Sequence, residues 1–321
     1  MDDQEVYQLF ESPLFADLQE QDLFDHQRPI LAHYTSLIAL ESILTNNEIL
    51  FSNPMFMNDL EEVRFGITQG ASAINKSVSI RNALGTDARR ARFSEELDYN
   101  IQNFAQEHLF DTYVFCLSEH TQETKDGLLS MWRAYGADGR GAAIIFDTSK
   151  LSAIETSPLL FMKVNYRSPD SPASWFERIA STFASIFTDN VIADQYIPLA
   201  AAILFERLKL HALFTKHHGF SEEKEWRVVY LSDRDVKKRL QPMFHYLNGP
   251  RGIEPKLHLK AEPIEGVISA GASFDELIIG ILLGPTASDF TKRTVSRMLE
   301  KIGKSELSSK LSMSSIPYRP N

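Results

Sequence analysis

Residues 127–146 have the sequence GLLSMWRAYGADGRGAAIIF, in which a helix-like stretch is followed by glycines and then by a run typical of a buried strand. A dinucleotide-binding loop needs the opposite order, since its glycines follow a strand and open a helix. We therefore interpret Gly136, Gly139 and Gly141 as turn residues. The order helix, turn, strand therefore does not match a dinucleotide-binding fingerprint.

Short runs rich in β-branched and aromatic residues recur along the chain and predict further strands. Helices and hairpin-length turns separate these runs, so the predicted fold class is α+β with a mixed, mainly antiparallel sheet. Because strands occur from start to end, residues 29–321 are predicted to form a single domain with helical insertions at about 60–110 and 173–218. The predicted strands are 30–34, 49–51, 112–117, 142–146, 159–166, 225–231, 256–260, 276–283 and 310–316.

Residues 1–28 form a leader whose composition differs from that of the remaining chain. Its first 27 residues contain eight acids and neither lysine nor arginine, so the leader holds most of the net charge of −10. The acids alternate with apolar residues such as Val6, Phe10 and Leu14, which predicts an amphipathic helix packed on the body of the protein. We also expect this acidic leader to cap basic patches as an autoinhibitory arm.

Several classes of protein are excluded by what the sequence lacks. The single cysteine, Cys116, rules out a disulfide framework, and its apolar surroundings are typical of a small buried hydrophobe. The sequence begins without a secretory signal and has no apolar window of the roughly 20 residues that a bilayer requires, so we expect a cytoplasmic protein without a membrane span. Zinc-type spacings, a nucleophile elbow and a phosphate loop are all missing, so no metal site is predicted.

Four separate segments carry the most informative residues. They are HYTS at 33–36, FSNP at 51–54 with ND at 58–59, SMWRAYG at 130–136 and EKEWR at 223–227. In this order they resemble the bacterial domain-of-unknown-function family 2971. The resemblance extends from about Pro29 to Arg319 and includes LGP at 283–285 and PYR at 317–319. Since that family is largely uncharacterised, the resemblance implies little about activity.

A second resemblance supplies a chemistry. ADP-ribosyltransferases of the histidine-tyrosine-glutamate class open with a strand ending in His-x-Thr, later present a tyrosine before a strand, and finally a glutamate at the start of a strand. Here His33, Tyr135 and Glu225 occupy these places in the same order. The resemblance implies a sheet core of the ADP-ribosyltransferase type, NAD as the substrate, and these three residues as the catalytic group.

The reaction of that class explains the residue types. Cleavage of the nicotinamide–ribose bond passes through an oxocarbenium-like state, which a carboxylate stabilises, and the resemblance gives this role to Glu225. His33 is then expected to hold ribose hydroxyls, and Tyr135 to stack on the nicotinamide ring. Residues near the expected cofactor cleft are candidate cofactor contacts: Tyr34, Thr35, Ser36, Ser52, Asn53, Trp132, Arg133 and Arg227.

Each of these assignments has an alternative. The residue after the histidine is Tyr34, where the class commonly has glycine, and the segment between the tyrosine and the glutamate is long. Trp132 and Tyr113 are alternatives for the aromatic role. A histidine near a strand end is often a core residue, and Glu225 can pair with Arg227 as an ordinary charge.

The leading hypothesis is transfer of ADP-ribose from NAD to a macromolecule or a nucleotide, by a toxin or a phage-defence effector as the family resemblance implies. One alternative is plain hydrolysis of NAD, with water as the acceptor. Another is a non-catalytic module that recognises a nucleotide or a phage protein and does not need the Glu225 carboxylate. A nuclease is disfavoured, because no cluster of acids suited to magnesium is present.

Overall fold

The computed structural model describes residues 1–21, 29–57, 60–152, 154, 156–167, 172–249, 252–269 and 273–319. Asn58 and Asp59 of the second motif, and the end of the acidic leader, lie outside the described residues. Helices and strands are both abundant, and the main sheet is mixed but mostly antiparallel. The predicted α+β class is therefore confirmed.

The strands are short, with between three and nine residues each in the described chain. They are β1 (Ile30–Thr35), β2 (Glu48–Ser52), β3 (Tyr113–Glu119), β4 (Ala142–Asp147), β5 (Leu159–Lys163), β6 (Asn165–Arg167), β7 (Thr215–His217), β8 (Glu225–Tyr230), β9 (Phe244–Gly249), β10 (Gly252–Lys260), β11 (Ile278–Leu283) and β12 (Leu311–Met313).

Several helices begin at a polar residue whose side chain accepts a hydrogen bond from the first turn, as Asp2, Ser36 and Ser288 do. The helices are α1 (Asp3–Leu14), α2 (Ala16–Gln21), α3 (Leu37–Asn46), α4 (Leu60–Lys76), α5 (Val78–Leu84), α6 (Asp87–Asn103), α7 (Leu129–Ala134), α8 (Pro172–Asp189), α9 (Ile197–Leu213), α10 (Phe274–Leu277), α11 (Asp289–Lys301) and α12 (Ser305–Ser309). No helix in these ranges is long and apolar enough to cross a membrane.

The chain divides into two compact units. We call them the helical unit, formed by Met1–Asp22, Pro54–Thr112 and Lys163–Gly219, and the sheet unit, formed by Leu23–Asn53, Tyr113–Met162 and Phe220–Asn321. The two predicted helical insertions fall in the helical unit together with Met1–Asp22 of the leader. That residues 29–321 act as a single domain stays a prediction.

The first two helices of the leader, α1 and α2, are part of the helical unit. Helix α1 buries Val6, Phe10 and Leu14 completely, and the Phe10 ring lies 5.2 Å from that of Phe183 in α8. Helix α9 is buried along most of its length, which explains why its apolar residues show so little periodicity. The predicted packing of an amphipathic leader helix on the protein is confirmed.

The sheet unit is built around β3, whose two edges are used differently. The full sheet order is β12-β11-β4-β1-β3-β2-β10-β9, with β8 added to β3 and β5 added to β8. Strand β8 pairs with β3 from Tyr113 to Ser118. The opposite edge of β3 is shared, because β1 pairs at Ser118 and Glu119 while β2 pairs at Val114. The sheet therefore forks between β1 and β2.

The two faces of this sheet differ in character, since side chains alternate along each strand. One face, which we call the Phe115 face, carries Phe115, Leu117 and Trp226 and belongs to the larger apolar core. A cavity of about 110 Å³, lined by apolar side chains and Thr148, lies against it. The other face, the Glu225 face, carries Cys116 and Ser118 of β3 together with the residues of β8 that pair with them, and helix α7 covers it in part.

Some predicted strand bounds differ from the structure. Predicted strand 276–283 begins at Ile278, because Ser273 caps a helical turn from Phe274 to Leu277. Predicted strand 159–166 is interrupted at Val164 and forms β5 and β6. Strand β9 was not predicted, because most of its side chains are exposed and no apolar alternation marks it.

Candidate functional site

The fork of the sheet places His33 against an open stretch of β3. Cys116 lies midway between the residues that pair with β1 and those that pair with β2. The His33 Nδ1–H donates a hydrogen bond to the Cys116 carbonyl over 2.9 Å, and the imidazole packs on the Phe115 ring at 4.4 Å between centroids. Burial lowers the pKa of His33, although the bond to the carbonyl opposes the shift. His33 is thus held as a neutral donor.

Strand register places His33 and Glu225 on opposite faces of the sheet. Ala32 pairs with Ser118, and Ser118 pairs with Glu225, so these three side chains share the Glu225 face. His33 follows Ala32 and therefore projects to the other face, where it meets Phe115. The structure does not bring the imidazole and the Glu225 carboxylate together.

Glu225 forms a buried ion pair with Arg227, whose side chain projects from the same face of β8. The two residues are 3% and 2% exposed. The Arg227 Nε donates to Oε1 of Glu225 over 2.7 Å, and Nη2 donates to Oε2 over 3.2 Å. A fork of this kind fixes the orientation of a carboxylate. The pair is therefore rigid and buried, in contrast to the solvated charge that the sequence also allowed.

Tyr135 reaches the start of β8, where Glu225 is the first residue. The tyrosine ends α7 and is 41% exposed, and its hydroxyl donates to Oε1 of Glu223 over 3.3 Å. The backbone carbonyl of Glu223 accepts a 2.6 Å hydrogen bond from the Ser118 hydroxyl, which ties this segment to β3. The phenol is thus fixed to a residue that lies two positions before Glu225.

The alternative aromatic residues are core residues. Trp132 is completely buried, and its Nε1 donates to the Asp126 carbonyl over 3.0 Å. Tyr34 meets the Trp132 ring edge to face at 4.8 Å, its hydroxyl accepts the backbone N–H of Leu128, and burial raises its pKa to about 12. Tyr113 is 2% exposed. Of these rings only that of Tyr135 has an exposed surface on which a ligand ring can stack.

The remaining candidate contacts lie at the ends of β1 and β2. Thr35 ends β1 and is buried, while the Ser36 hydroxyl accepts the Ala39 N–H and caps α3. Ser52 ends β2 on the Glu225 face, and its hydroxyl accepts a bond from Lys256 Nζ over 3.0 Å. Asn53 is fully buried. Local structure explains Thr35, Ser36 and Ser52, which end a strand or cap a helix.

The glycine turn of the third motif packs where three other quoted segments end. A β-carbon on Gly141 would lie 2.1 Å from the Thr35 carbonyl oxygen. A β-carbon on Gly284 would lie 2.2 Å from the Gly139 carbonyl oxygen. Thr286 donates its backbone N–H and its hydroxyl to the Gly139 carbonyl. Backbone segments this close leave no room for a side chain.

Tyr318 completes this packing at the chain end. Its hydroxyl donates to the Asp138 carboxylate, and the guanidinium of exposed Arg133 lies 5.2 Å from the centre of its ring. Packing of this turn therefore explains in part why these motifs occur together in the chain, which the sequence did not indicate. The exposed Arg133 remains accessible at the edge of α7.

A second polar group on the Glu225 face escaped the sequence analysis. His258 of β10 bonds through Nδ1 to Oε2 of Glu48 over 3.0 Å, and its ring lies 4.6 Å from that of His245. Lys256 Nζ lies 3.1 Å from Oε2 of Glu254. These residues are far apart in sequence, so only the pairing of β2, β9 and β10 reveals them. Among the described residues no group of three or more His, Cys, Asp or Glu side chains is suited to a metal ion.

Comparison with known proteins gives one match. Residues 131–228 match the family described as "Protein of unknown function (DUF2971)". The matched range contains Trp132, Arg133, Tyr135, Glu225 and Arg227, and it confirms the resemblance that their motifs indicated. No curated protein and no solved structure matches the chain.

Proposed function

We propose that this protein cleaves the bond between nicotinamide and ribose in NAD and transfers the ADP-ribose to a macromolecule or a nucleotide. The observation that carries the proposal is the hydrogen bond between Tyr135 and Glu223. It holds an exposed aromatic ring beside the start of the strand whose first side chain is the Glu225 carboxylate. We therefore take Tyr135 and Glu225, two members of the expected catalytic group, as parts of one proposed site.

Glu225 supplies the negative charge that the reaction needs. As the bond to nicotinamide breaks, the ribose carbon becomes positively charged, and a fixed carboxylate stabilises that charge. Arg227 holds both oxygens of Glu225 in place, so the carboxylate does not have to reorient during the reaction. Each oxygen of a carboxylate can accept more than one hydrogen bond, which is compatible with binding a ribose hydroxyl as well.

Tyr135 provides the surface for the leaving group. Its ring is exposed, so nicotinamide can stack on it, and the bond to Glu223 restricts its rotation. His33 has no part in the proposed site, because its side chain lies on the Phe115 face and its Nδ1–H is engaged by Cys116. This is a change from the group of three that the resemblance to ADP-ribosyltransferases implied.

The burial of Glu225 adds a conformational step. A side chain that is 3% exposed contacts NAD only after the groups covering it have moved. The proposed setting is a toxin or phage-defence effector acting in the cytoplasm, in which a closed resting state would keep NAD intact until a trigger is present. We expect purified protein to be slow and cell extract or phage protein to accelerate it.

The direct test is incubation of the full-length protein with NAD, with and without extract of phage-infected cells, while free nicotinamide is measured. Glu225→Gln is expected to lower the rate of release about 100-fold. Tyr135→Ala, at an exposed position that does not threaten folding, should lower it about 10-fold. His33→Phe is the matched control and should keep the rate of a correctly folded protein. Thermal unfolding of each variant verifies that it is folded.

The fate of ADP-ribose separates the alternatives. With NAD labelled in the adenosine part, transfer places the label on protein, nucleic acid or a nucleotide, whereas hydrolysis releases free ADP-ribose. If NAD binds but no nicotinamide is released under any condition, and Glu225→Gln leaves the cellular phenotype unchanged, a non-catalytic recognition module replaces the enzyme. Absence of both binding and release ends the proposal.

A further inference from the structure

An open apolar groove lies between α3 and α11 in the sheet unit. Its lining consists mainly of apolar side chains, and its volume is about 320 Å³. Two large apolar residues at its rim are strongly exposed, Ile38 at 82% and Phe290 at 79%. Leaving both side chains exposed to water is energetically unfavourable. Exposed apolar clusters of this kind mark interaction sites. We propose that this groove binds an acidic amphipathic helix of another protein.

The apolar part of the groove has helical spacing. Phe290, Thr294 and Met298 follow one another at intervals of four residues on α11, so they form a single row along the helix. Ile38 and Leu37 face this row from α3. A ridge of apolar side chains on a partner helix, spaced by three and four residues, fits between two such walls.

The charge beside the groove selects an acidic partner. Arg293, Arg297 and Lys301 also follow at intervals of four residues, and each lies three positions after a member of the row that begins at Phe290. All three are exposed, and in the part of the chain that the structure describes none of them forms an ion pair. Together they span about 12 Å, or two turns of a helix that lies alongside. Acidic side chains spaced by four residues on the partner match this row.

Two features favour a protein helix over a lipid surface or a nucleic acid. The site is concave, so a convex ridge of side chains fills it, whereas a flat membrane surface does not. Exposed Phe290 and Ile38 next to the cations supply apolar area that a nucleic-acid backbone does not use.

The test uses a synthetic peptide with the sequence of residues 1–21 as the probe, because it is an acidic amphipathic helix with Val6, Phe10 and Leu14 on one face. Binding to the full-length protein is followed by fluorescence anisotropy at low salt. We expect saturable binding that weakens at least 10-fold in Phe290→Ser and in the double variant Arg293→Glu/Arg297→Glu. Val191→Ser, which changes an equally exposed apolar residue in the helical unit, should bind as the wild type does.

A charge exchange makes the result specific. A version of the peptide with its acids replaced by lysines should bind the Arg293→Glu/Arg297→Glu protein better than it binds the wild type. Equal binding of a peptide whose acids are replaced by their amides would overturn the proposal, as would absence of peptide binding. Binding of vesicles containing anionic lipid, or of a short RNA duplex, that is lost in the same variants while the peptide does not bind would assign the groove to that other class of partner.

Discussion

The imidazole of His33 closes the fork of the sheet by donating its Nδ1–H to the carbonyl of Cys116 over 2.9 Å. Neither β1 nor β2 pairs with β3 at Cys116, and the His33 side chain donates a hydrogen bond to the backbone at that position. A histidine suits the position, because its ring also covers Phe115 at the boundary of the apolar core. The first motif residue thus stabilises a branching sheet, which accounts for its place in the chain without a catalytic role.

This relationship predicts that His33→Phe lowers the free energy of unfolding by about 1–3 kcal/mol at pH 8. The phenyl ring retains the packing on Phe115, so the loss reports the missing donor. The measurement is urea unfolding followed by tryptophan fluorescence. A variant as stable as the wild type would show that the Cys116 carbonyl does not depend on this bond.

The same variant should change the pH dependence of stability. Burial places the pKa of His33 in the folded protein below its ordinary value of 6.5, so the unfolded chain takes up the proton first as the pH falls. The contribution of His33 is therefore complete above about pH 6.5 and declines as the pH drops toward the folded-state pKa. His120, whose pKa burial also lowers, is present in both proteins and cancels in the comparison. The difference between wild type and His33→Phe should consequently be smaller at pH 5 than at pH 8.

The glycine turn gives a further prediction, because two glycines of the sheet unit differ in how much space their surroundings leave for a β-carbon. Gly141→Ala places a β-carbon 2.1 Å from the Thr35 carbonyl oxygen, which is backbone and cannot move aside. We expect a loss of about 3 kcal/mol or more in the free energy of unfolding. In Gly280→Ala the nearest atom to the new β-carbon is the Lys310 carbonyl oxygen, at 3.5 Å. This substitution should change the free energy of unfolding by less than about 1 kcal/mol. Equal effects in thermal unfolding would contradict this account of the turn.

Much of the fold could be predicted from the sequence because local patterns carry it. Strand β4 is an almost continuous apolar run and β8 is rich in aromatic and β-branched residues, and their predicted positions hold within one or two residues. Strand β9 lacks such a pattern, because its exposed residues are held mainly by pairing with β10. Pro255 lies inside β10, so the prediction began that strand only at Lys256.

The candidate site was harder to predict, because its geometry depends on strand register. His33 and Glu225 were correctly placed at strand positions, but which face each side chain occupies follows from how β1, β3 and β8 align. A shift of one residue in either pairing reverses the faces. No short-range pattern in the sequence reports that alignment. The link between Tyr135 and Glu223 is likewise a contact between residues far apart in the chain.

The apolar cavity on the Phe115 face allows a comparison of neighbouring residues in β8. Val228 lines the cavity, whereas Val229 projects to the other face and is completely buried. Val228→Ile adds a methylene group where space exists and should raise the free energy of unfolding by up to about 0.8 kcal/mol. Val229→Ile adds the same group to packed surroundings and should lower it by about 1–3 kcal/mol. Chemical denaturation of both variants measures the difference, and a stabilising Val229→Ile would refute this description of the two faces.

The last prediction concerns the leader and the buried Arg207 of α9. The arginine is 1% exposed, its Nε donates to the Leu14 carbonyl over 2.9 Å, and its Nη2 lies 2.8 and 2.7 Å from the two oxygens of Asp17. Burial lowers the pKa of Arg207, and the charge of Asp17 opposes that shift. The guanidinium also lies 4.7 Å from the centre of the Trp175 ring. The leader thus supplies the anion that neutralises a buried cation, which is a structural role that the expected autoinhibitory arm does not require.

Asp17→Ala should therefore lower the free energy of unfolding of the helical unit by about 3–5 kcal/mol, because it leaves the Arg207 charge buried without its carboxylate. Adding Arg207→Met should restore part of this loss, since the double variant buries no charge there. Deleting the leader is expected to act like Asp17→Ala and to reduce activity together with stability. A leader deletion that is stable and more active would favour the autoinhibitory arm. Equal stability of Asp17→Ala and of the double variant Asp17→Ala/Arg207→Met would show that Asp17 and Arg207 are not energetically coupled.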